Sequence, residues 1–415
     1  MCHTVHTVKE SPGAPMISAD KSIRIGYITT DDVMYRRGFS GIHYYQFKAL
    51  SEQFQTVISC GPLLQPRWLR RIFRVINRIH LILFNKRADP RFNCLTSLYF
   101  GFRIRRFLAQ NKIDVAFASA ADAELAMLKV GFLAPDVPVC YSTDATFNLL
   151  HEYYWTPEFT EFPANYSPWS IRERHFIQKR AIDISQTIIY SSNWARIDAI
   201  NYYKANKSKV HVVKYGANLD VVPEIKALQA RKENPFLTVL FVSADWYRKG
   251  GPIVLETANI LKRRKVNIRI NIVSTQDIPC NSIVKSYPPL NKDIEKESRQ
   301  LADLFLESDV FFLPTRADCT PIVFNEAAAY GLPVLTTDTG GCSSLVTHEL
   351  NGFLLPEYAE AKDFADKLQL LSRDKTLLNN MSNNSRALYE SEHNWTHWGQ
   401  SVANILTGMA NRDFT

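Results

Sequence analysis

Two carboxylates, Asp318 and Glu326, stand eight positions apart in the run DCTPIVFNEAAAYGLPV. The residues between them read as a helix start, with Thr320 suited to the N-cap and Pro321 to the first helical position. The amides of Ile322 and Val323 then have no intrahelical acceptor, and the helix dipole favours an anion in front of them. Gly331 suits left-handed termination, and Pro333 blocks continuation. Tidy caps alone are what folding requires. A carboxylate just before the helix and a second inside it are not explained by folding alone. A cationic cluster lies upstream, where Arg248 and Lys249 precede Gly250-Gly251 just after the β-prone run TVLFVS. A forked guanidinium and a point-charge ammonium at a strand end suit stabilisation of a departing phosphate. A solvated basic turn has the same composition.

Positioning such groups takes strand ends and helix starts, and the chain supplies them in alternation. Strand patterns at 23–28, 57–59, 115–118, 137–141, 187–190 and 210–213 are separated by helical stretches, the first at 41–53. The pattern restarts with strands at 238–243, 268–273, 310–313 and 333–336 and helices at 253–264, 301–306, 321–330, 364–371 and 377–389. Such alternation predicts parallel sheets with helices on their faces. The expected fold is α/β, with two doubly wound Rossmann-like domains facing each other across a cleft. Ligands in open α/β sheets bind beyond the carboxyl ends of the strands, and Lys249, Asp318 and the Asp338-Thr339-Gly340-Gly341 loop all follow strands. The expected organisation is a flexible arm over 1–20, an N-terminal domain over 21–220 and a charged linker over 221–235. A C-terminal domain over 236–390 follows, then a final helix over 391–415 that returns to the N-terminal domain.

The chain has 415 residues, 46% hydrophobic and 22% charged, which suits a globular protein of two or three domains. Disordered, collagen-like and disulfide-miniprotein classes are excluded. Its seven Cys are widely spaced with no CxxC pair, against a disulfide framework or a zinc site. The first 20 residues hold no long apolar run, so no secretory signal is expected, and no apolar run approaches the ~18–20 residues that span a bilayer. The expected location is the cytoplasm, peripheral on the cytoplasmic face of a membrane. The net charge of +8 is uneven: residues 1–215 hold 28 Lys+Arg against 17 Asp+Glu, whereas residues 216–415 carry a net of −3. Residues 67–106 alone hold 11 basic residues and one acid, Asp89.

Within 67–87, Leu69, Ile72, Phe73, Ile76, Ile79 and Leu83 share a helical face. Arg67, Arg70, Arg71, Arg74 and Arg78 lie opposite or flank it. This is the pattern of an interfacial helix on an anionic membrane surface. A helix packed on the N-terminal sheet, with a solvated arginine face, fits it too. The run lacks interleaved solvent-facing aromatics and any recognised nucleic-acid motif, so nucleic acid is not an expected partner.

The segment 308–356 resembles the donor-binding half of family 4 glycosyltransferases, retaining enzymes of GT-B architecture within glycosyl transferases group 1. Their signature is a carboxylate, seven residues, then Glu-Ala. Asp318 and Glu326-Ala327 meet it, with Asp in place of the usual Glu. The resemblance implies that Asp318 faces the donor sugar and that Glu326 accepts hydrogen bonds from the nucleotide ribose. Lys249-Gly250 matches the family's diphosphate clamp. The Arg usual after the strand is here Ala244, with Arg248 or Trp246 as the replacement. Gly38-Phe39-Ser40-Gly41 resembles the family's Gly-rich loop, where Gly41 lets the backbone approach donor phosphates and acceptor. Where many relatives carry a His near the reacting sugar, this chain has Asp144, which either replaces it or caps the next helix.

The resemblance thus implies a retaining hexosyl transfer from a nucleotide-sugar donor to a hydroxyl acceptor. The setting it implies is polysaccharide, glycolipid or other glycoconjugate synthesis. Asp318, Lys249, Arg248 and Asp144 are the implied catalytic groups. Glu326, Thr320, Pro321, Ile322, Val323, Gly41 and Gly340 are the implied donor contacts. The chain contains no D-x-D pair, so neither a metal nor another cofactor is expected. An inactive relative and a basic non-enzymatic binding protein are the alternatives.

Overall fold

The computed structural model describes residues 22–129, 136–154, 165–229 and 235–411. The arm expected over 1–20 lies outside them. Strands β1 (Arg24–Ile28), β2 (Thr56–Ser59), β3 (Val115–Ser119), β4 (Val139–Thr143), β5 (Thr187–Tyr190) and β6 (Val210–Val212) form one parallel sheet, in the order β2-β1-β3-β4-β5-β6. Strands β7 (Leu237–Ser243), β8 (Ile268–Ser274), β9 (Val284–Tyr287), β10 (Val310–Leu313), β11 (Val334–Thr337) and β12 (Gly352–Leu355) form a second, in the order β12-β11-β10-β7-β8-β9. Central strands of parallel sheets are covered on both faces and read as continuous apolar runs. VAFAS, TIIY and VFFL obey this and are buried at every position. Strands β9 and β12 are the outermost in the second sheet; VKSY mixes polar with apolar residues, and GFLL is a four-residue run opened by glycine, so neither stands out in the sequence.

The helices between these strands are α1 (Ile42–Gln53), α2 (Arg67–Phe84), α3 (Cys94–Asn111), α4 (Pro168–Ile184), α5 (Asn193–Asn201) and α6 (Gly251–Arg263). They continue with α7 (Glu295–Leu306), α8 (Ile322–Ala329), α9 (Ala361–Arg373), α10 (Lys375–Ser391) and α11 (Trp395–Ala410). Each sheet reverses its strand order once, between β1 and β3 and between β7 and β10. The loops diverge at such a point and leave a crevice, so the loops after these four strands are the ones placed for a ligand.

Two features depart from the sequence pattern. The stretch between the domains is not wholly irregular, since Ile225–Gln229 forms a short helix. Helix α2 buries only part of its apolar face. Leu69 and Phe73 are buried against the domain, whereas Trp68, Ile72, Val75, Ile79 and Ile82 are exposed. Apolar side chains cover more than half of its circumference, so periodicity alone did not show which part meets the protein.

Helix α11 packs on the N-terminal sheet. Trp398, Val402, Ala403 and Leu406 are fully buried in a cluster with Ile25, Tyr27, Leu50 and Phe117. At about 1.5–3 kcal/mol per large buried side chain, Trp398, Val402 and Leu406 alone contribute roughly 4.5–9 kcal/mol, within the range of a typical whole-domain stability. Trp395, at the head of α11, stacks on Tyr45 and Tyr215 with ring centroids 6.0 and 5.8 Å away. The chain therefore crosses between the domains twice.

Candidate active site

The turn after β7 is shaped by its glycines and by Asp245. The Asp245 carboxylate accepts from the Arg248 amide at 3.3 Å and from Arg248 Nε at 2.7 Å. Gly250 has φ +77°, and a Cβ there would lie 2.0 Å from the Pro314 carbonyl oxygen, so only glycine fits beside Lys249. Trp246 is buried, packs on Gly251 and meets Phe241 edge-on at 5.6 Å. It is a core residue and does not replace the cation missing at Ala244.

Arg248 spans to the loop after β10. Its Nη1 donates to the Ala317 carbonyl at 2.8 Å, and its own carbonyl accepts from the Arg316 amide at 2.7 Å. The guanidinium also lies over the Tyr154 ring at 4.5 Å. Arg248 thus ties together the loops at the point where the second sheet reverses. The Lys249 ammonium pairs directly with the Asp318 carboxylate, the two side chains being 16% and 9% exposed.

Asp318 is held from behind. Gly340 has φ +55°, and a Cβ there would sit 1.8 Å from the Asp318 carbonyl oxygen, which also accepts from the Gly341 amide at 3.1 Å. Gly340 therefore fixes the backbone of Asp318. Thr320 does not cap α8, and Pro321 is not its first residue. Pro321 is the N-cap, because its ψ of 101° is extended and delays the helical backbone by one position. The Thr320 hydroxyl instead meets Ser191 Oγ at 2.6 Å, a bond between the loops after β5 and β10 that joins the two domains. The amides of Ile322 and Val323 precede the first bond of the helix, from the Phe324 amide to the Pro321 carbonyl at 3.0 Å.

Glu326, 4% exposed, accepts from Lys292 Nζ at 2.5 Å. Lys292 lies in the loop after β9, and nothing in its surroundings PPLNKD marked it in the sequence. Lys292, Gly41, Tyr45 and Asn218 line an interdomain cavity of about 410 Å3. Gly41 has φ +84°, and a Cβ there would come within 3.0 Å of both the Arg36 carbonyl and Asn218 Nδ2.

On the N-terminal side, Asp144 follows β4 and lines a cavity of about 340 Å3 with Asp31, His43 and Asp122, at the reversal point of the first sheet. Asp144 is not a helix cap; Thr146 fills that role, its hydroxyl accepting from the Leu149 amide at 3.3 Å. Withdrawal from water, and then the charge of Asp318, push the Asp144 carboxyl up to about 7. Asp144 and Asp318 therefore sense each other across the cleft. His43 is buried, with Nδ1 3.0 Å from Ser119 Oγ, and burial lowers its pKa to about 4, so it is a neutral structural group. His151 pairs with Glu152 at 2.7 Å.

The structure brings Asp318, Lys249 and Arg248 together and sets Asp144 opposite them. Glu326 is joined to the interdomain cavity through Lys292. Sequence reasoning missed Lys292, Ser191 and the wide π-helical turn Leu150–Tyr154, whose Tyr153 hydroxyl donates to the Arg316 carbonyl at 3.3 Å. Turns of that kind recur at functional sites.

Two Rossmann-type sheets whose strand ends meet across a cleft define the GT-B architecture. Solved structures of this fold include a sucrose-phosphate synthase of Thermosynechococcus elongatus, at TM-score 0.65 and 16% identity over 94% of this chain and 99% of that one. HepE of Anabaena, crystallised with UDP and glucose, has TM-score 0.60 and 16% identity over 93% of this chain and all of that one. Residues 223–388 match the family described as Glycosyl transferases group 1. The D-inositol 3-phosphate glycosyltransferase of Pseudarthrobacter chlorophenolicus is 22% identical over 222 residues, 49% of this chain and 51% of that protein. The amylovoran biosynthesis glycosyltransferase AmsK of Erwinia amylovora is 27% identical over 194 residues, 42% of this chain and 45% of that protein. The chain spans about half the length of the curated relatives it matches.

Proposed function

We propose that the chain is a retaining, metal-independent glycosyltransferase of the family 4 type. It transfers a hexosyl group from a nucleotide sugar to a hydroxyl acceptor in glycoconjugate synthesis, at the cytoplasmic face of a membrane. The observation that carries this reading is the Lys249–Asp318 pair at the carboxyl ends of β7 and β10, where the second sheet reverses its order, with Asp144 opposite. A donor diphosphate exchanges with Asp318 for the Lys249 ammonium and frees the carboxylate for the sugar hydroxyls. Glu326 receives the ribose hydroxyls. The complex of HepE with UDP and glucose supports a nucleoside diphosphate sugar as donor, and the names of AmsK and of the inositol phosphate enzyme support glycoconjugate synthesis.

In the step itself the bond from the anomeric carbon to the diphosphate oxygen breaks, and the bond to the acceptor oxygen forms on the same face. The acceptor proton passes to the departing phosphate oxygen. Lys249 and the head of α8 stabilise the charge gathering on that phosphate. Asp318 and Asp144 face the positive charge developing on the sugar, and the acceptor enters through the cavity at Asp31 and Asp122. Incubation with a panel of UDP-, GDP-, ADP- and TDP-sugars, followed by mass spectrometry, tests the reading. Consumption of one donor, with retained configuration in the product by NMR and an undiminished rate under chelator, is the expected result. Intact donors across the whole panel would refute transferase function, and a rate lost under chelator would refute metal independence.

A further inference from the structure

We propose that the start of α2 is a phosphate-headgroup site on a bilayer-facing surface, which holds an anionic lipid beside the acceptor cavity. Trp68, Ile72, Val75, Ile79 and Ile82 recur at spacings of four and three, so at about 3.6 residues per turn they form one line along the helix. They are 52, 44, 60, 49 and 81% exposed. Soluble proteins rarely leave so continuous an apolar stripe in water, and where they do it marks an interaction surface. Helix α2 is firmly seated: Leu69 and Phe73 are buried, Asn77 Oδ1 accepts from the Ala88 amide at 2.9 Å, and His80 Nδ1 lies 2.7 Å from Ser167 Oγ. The stripe is a fixed outer face of a packed helix.

Arginines flank the stripe. Arg67, Arg70, Arg71 and Arg74 line a groove of about 670 Å3 together with Phe73 and Pro90, with no carboxylate in its wall. Among the described residues none of the four forms an ion pair. Four guanidiniums gathered without a counter-charge repel one another, and forked donors of this kind fit a phosphate. Apolar side chains beside a cationic groove match the two layers of an anionic bilayer, acyl chains next to phosphates. A second copy of the chain docked symmetrically here would set arginine against arginine.

One step of chain separates the wall of this groove from the wall of the Asp144 cavity. Pro90 lines the groove, and the next residue, Arg91, lines the cavity of Asp31 and Asp144 while donating to Thr30 Oγ1 at 2.7 Å. A lipid phosphate among the arginines would therefore present a lipid-borne acceptor hydroxyl to that cavity. This last step rests on the glycosyltransferase reading; the headgroup site does not.

Sedimentation with vesicles tests it, using a roughly 3:7 mixture of phosphatidylglycerol and phosphatidylcholine against phosphatidylcholine alone. The full chain is expected to sediment with the anionic vesicles only. Arg70→Gln/Arg71→Gln/Arg74→Gln is expected to lower the partition coefficient on the order of a hundredfold. Ile72→Gln/Ile79→Gln is expected to lower it by about tenfold or more, with both variants showing wild-type circular dichroism. Inorganic phosphate at matched ionic strength should leave binding intact. The site is overturned if the wild type stays in the supernatant, if the arginine variant sediments like the wild type, or if inorganic phosphate alone displaces the protein. It is also overturned if the apolar variant changes only self-association. Nucleotide-sugar turnover, measured on the wild type without vesicles, separates the two readings. Turnover without vesicle binding refutes the surface alone, and vesicle binding without turnover supports the surface and refutes the enzyme.

Discussion

Replacing Lys249 by Ala separates two effects that the geometry couples. The first is stability. Asp318 is 9% exposed and loses its partner, and breaking a buried pair from one side costs about 3–5 kcal/mol. Arg248 still acts on Asp318 through space, so the lower end, about 3 kcal/mol, is expected. The second effect is catalytic. Loss of one donor to a developing oxyanion costs about 3–4 kcal/mol of transition-state stabilisation, a fall of roughly a hundredfold to a thousandfold in kcat. The two effects part in the double variant Lys249→Ala/Asp318→Asn. Removing the orphaned charge should restore most of the lost stability, because a neutral amide tolerates burial far better than an unpaired carboxylate. Turnover should stay low, because the phosphate still lacks its cation. Thermal melts and initial rates with the donor found in the panel measure both. Turnover in Lys249→Ala within roughly threefold of wild type, or recovery of turnover in the double variant, would refute the reasoning and reduce Lys249 to a counter-ion for Asp318.

Further outcomes are expected from the same geometry. Asp144 rises from its ordinary 3.8 to about 7 on folding. Between these values the folded chain holds a proton that the unfolded chain has lost, so this group makes stability fall as pH rises through the window. Asp144→Asn should remove that slope in denaturant titrations, and should abolish an acid limb near pH 7 in kcat/KM, where the anion is the active form. Glu326→Gln should raise the donor KM by roughly tenfold to a hundredfold, the worth of a hydrogen bond to a charged group, with a smaller change in kcat, as seen in steady-state rates. Gly340→Ala adds a Cβ 1.8 Å from the Asp318 carbonyl oxygen at a φ of +55°. It should cost at least about 1–3 kcal/mol by thermal melt and abolish turnover.

Much of the fold was legible because parallel strands buried on both faces leave uninterrupted apolar runs, as in VFFL and TVLFVS. The Lys249-Gly250 turn was legible because only glycine fits against Pro314, and the structure supplies the collision that explains the spacing. What stayed hidden depends on contacts between residues far apart in the chain. No local pattern says that Thr320 bonds Ser191 instead of capping α8, that Lys292 finds Glu326, or that Lys249 finds Asp318. Each of these pairs spans 34 to 129 positions of chain. The orientation of α2 was hidden for a different reason. Its apolar residues outnumber the sites that the protein can cover, and only the packing of Leu69 and Phe73 selects the buried side.

Helix α11 carries a consequence for how the molecule is made. The ribosome delivers β1 and α1 well before the side chains that seal their cluster, Trp398, Val402, Ala403 and Leu406, which follow every strand of the second sheet along the chain. The N-terminal sheet is thus begun before the C-terminal one and completed after it, and until α11 is made its nascent form keeps an uncovered apolar face. A chain stopped before α11 would leave that face exposed to chaperones and proteases, although every residue of the donor side had already been made.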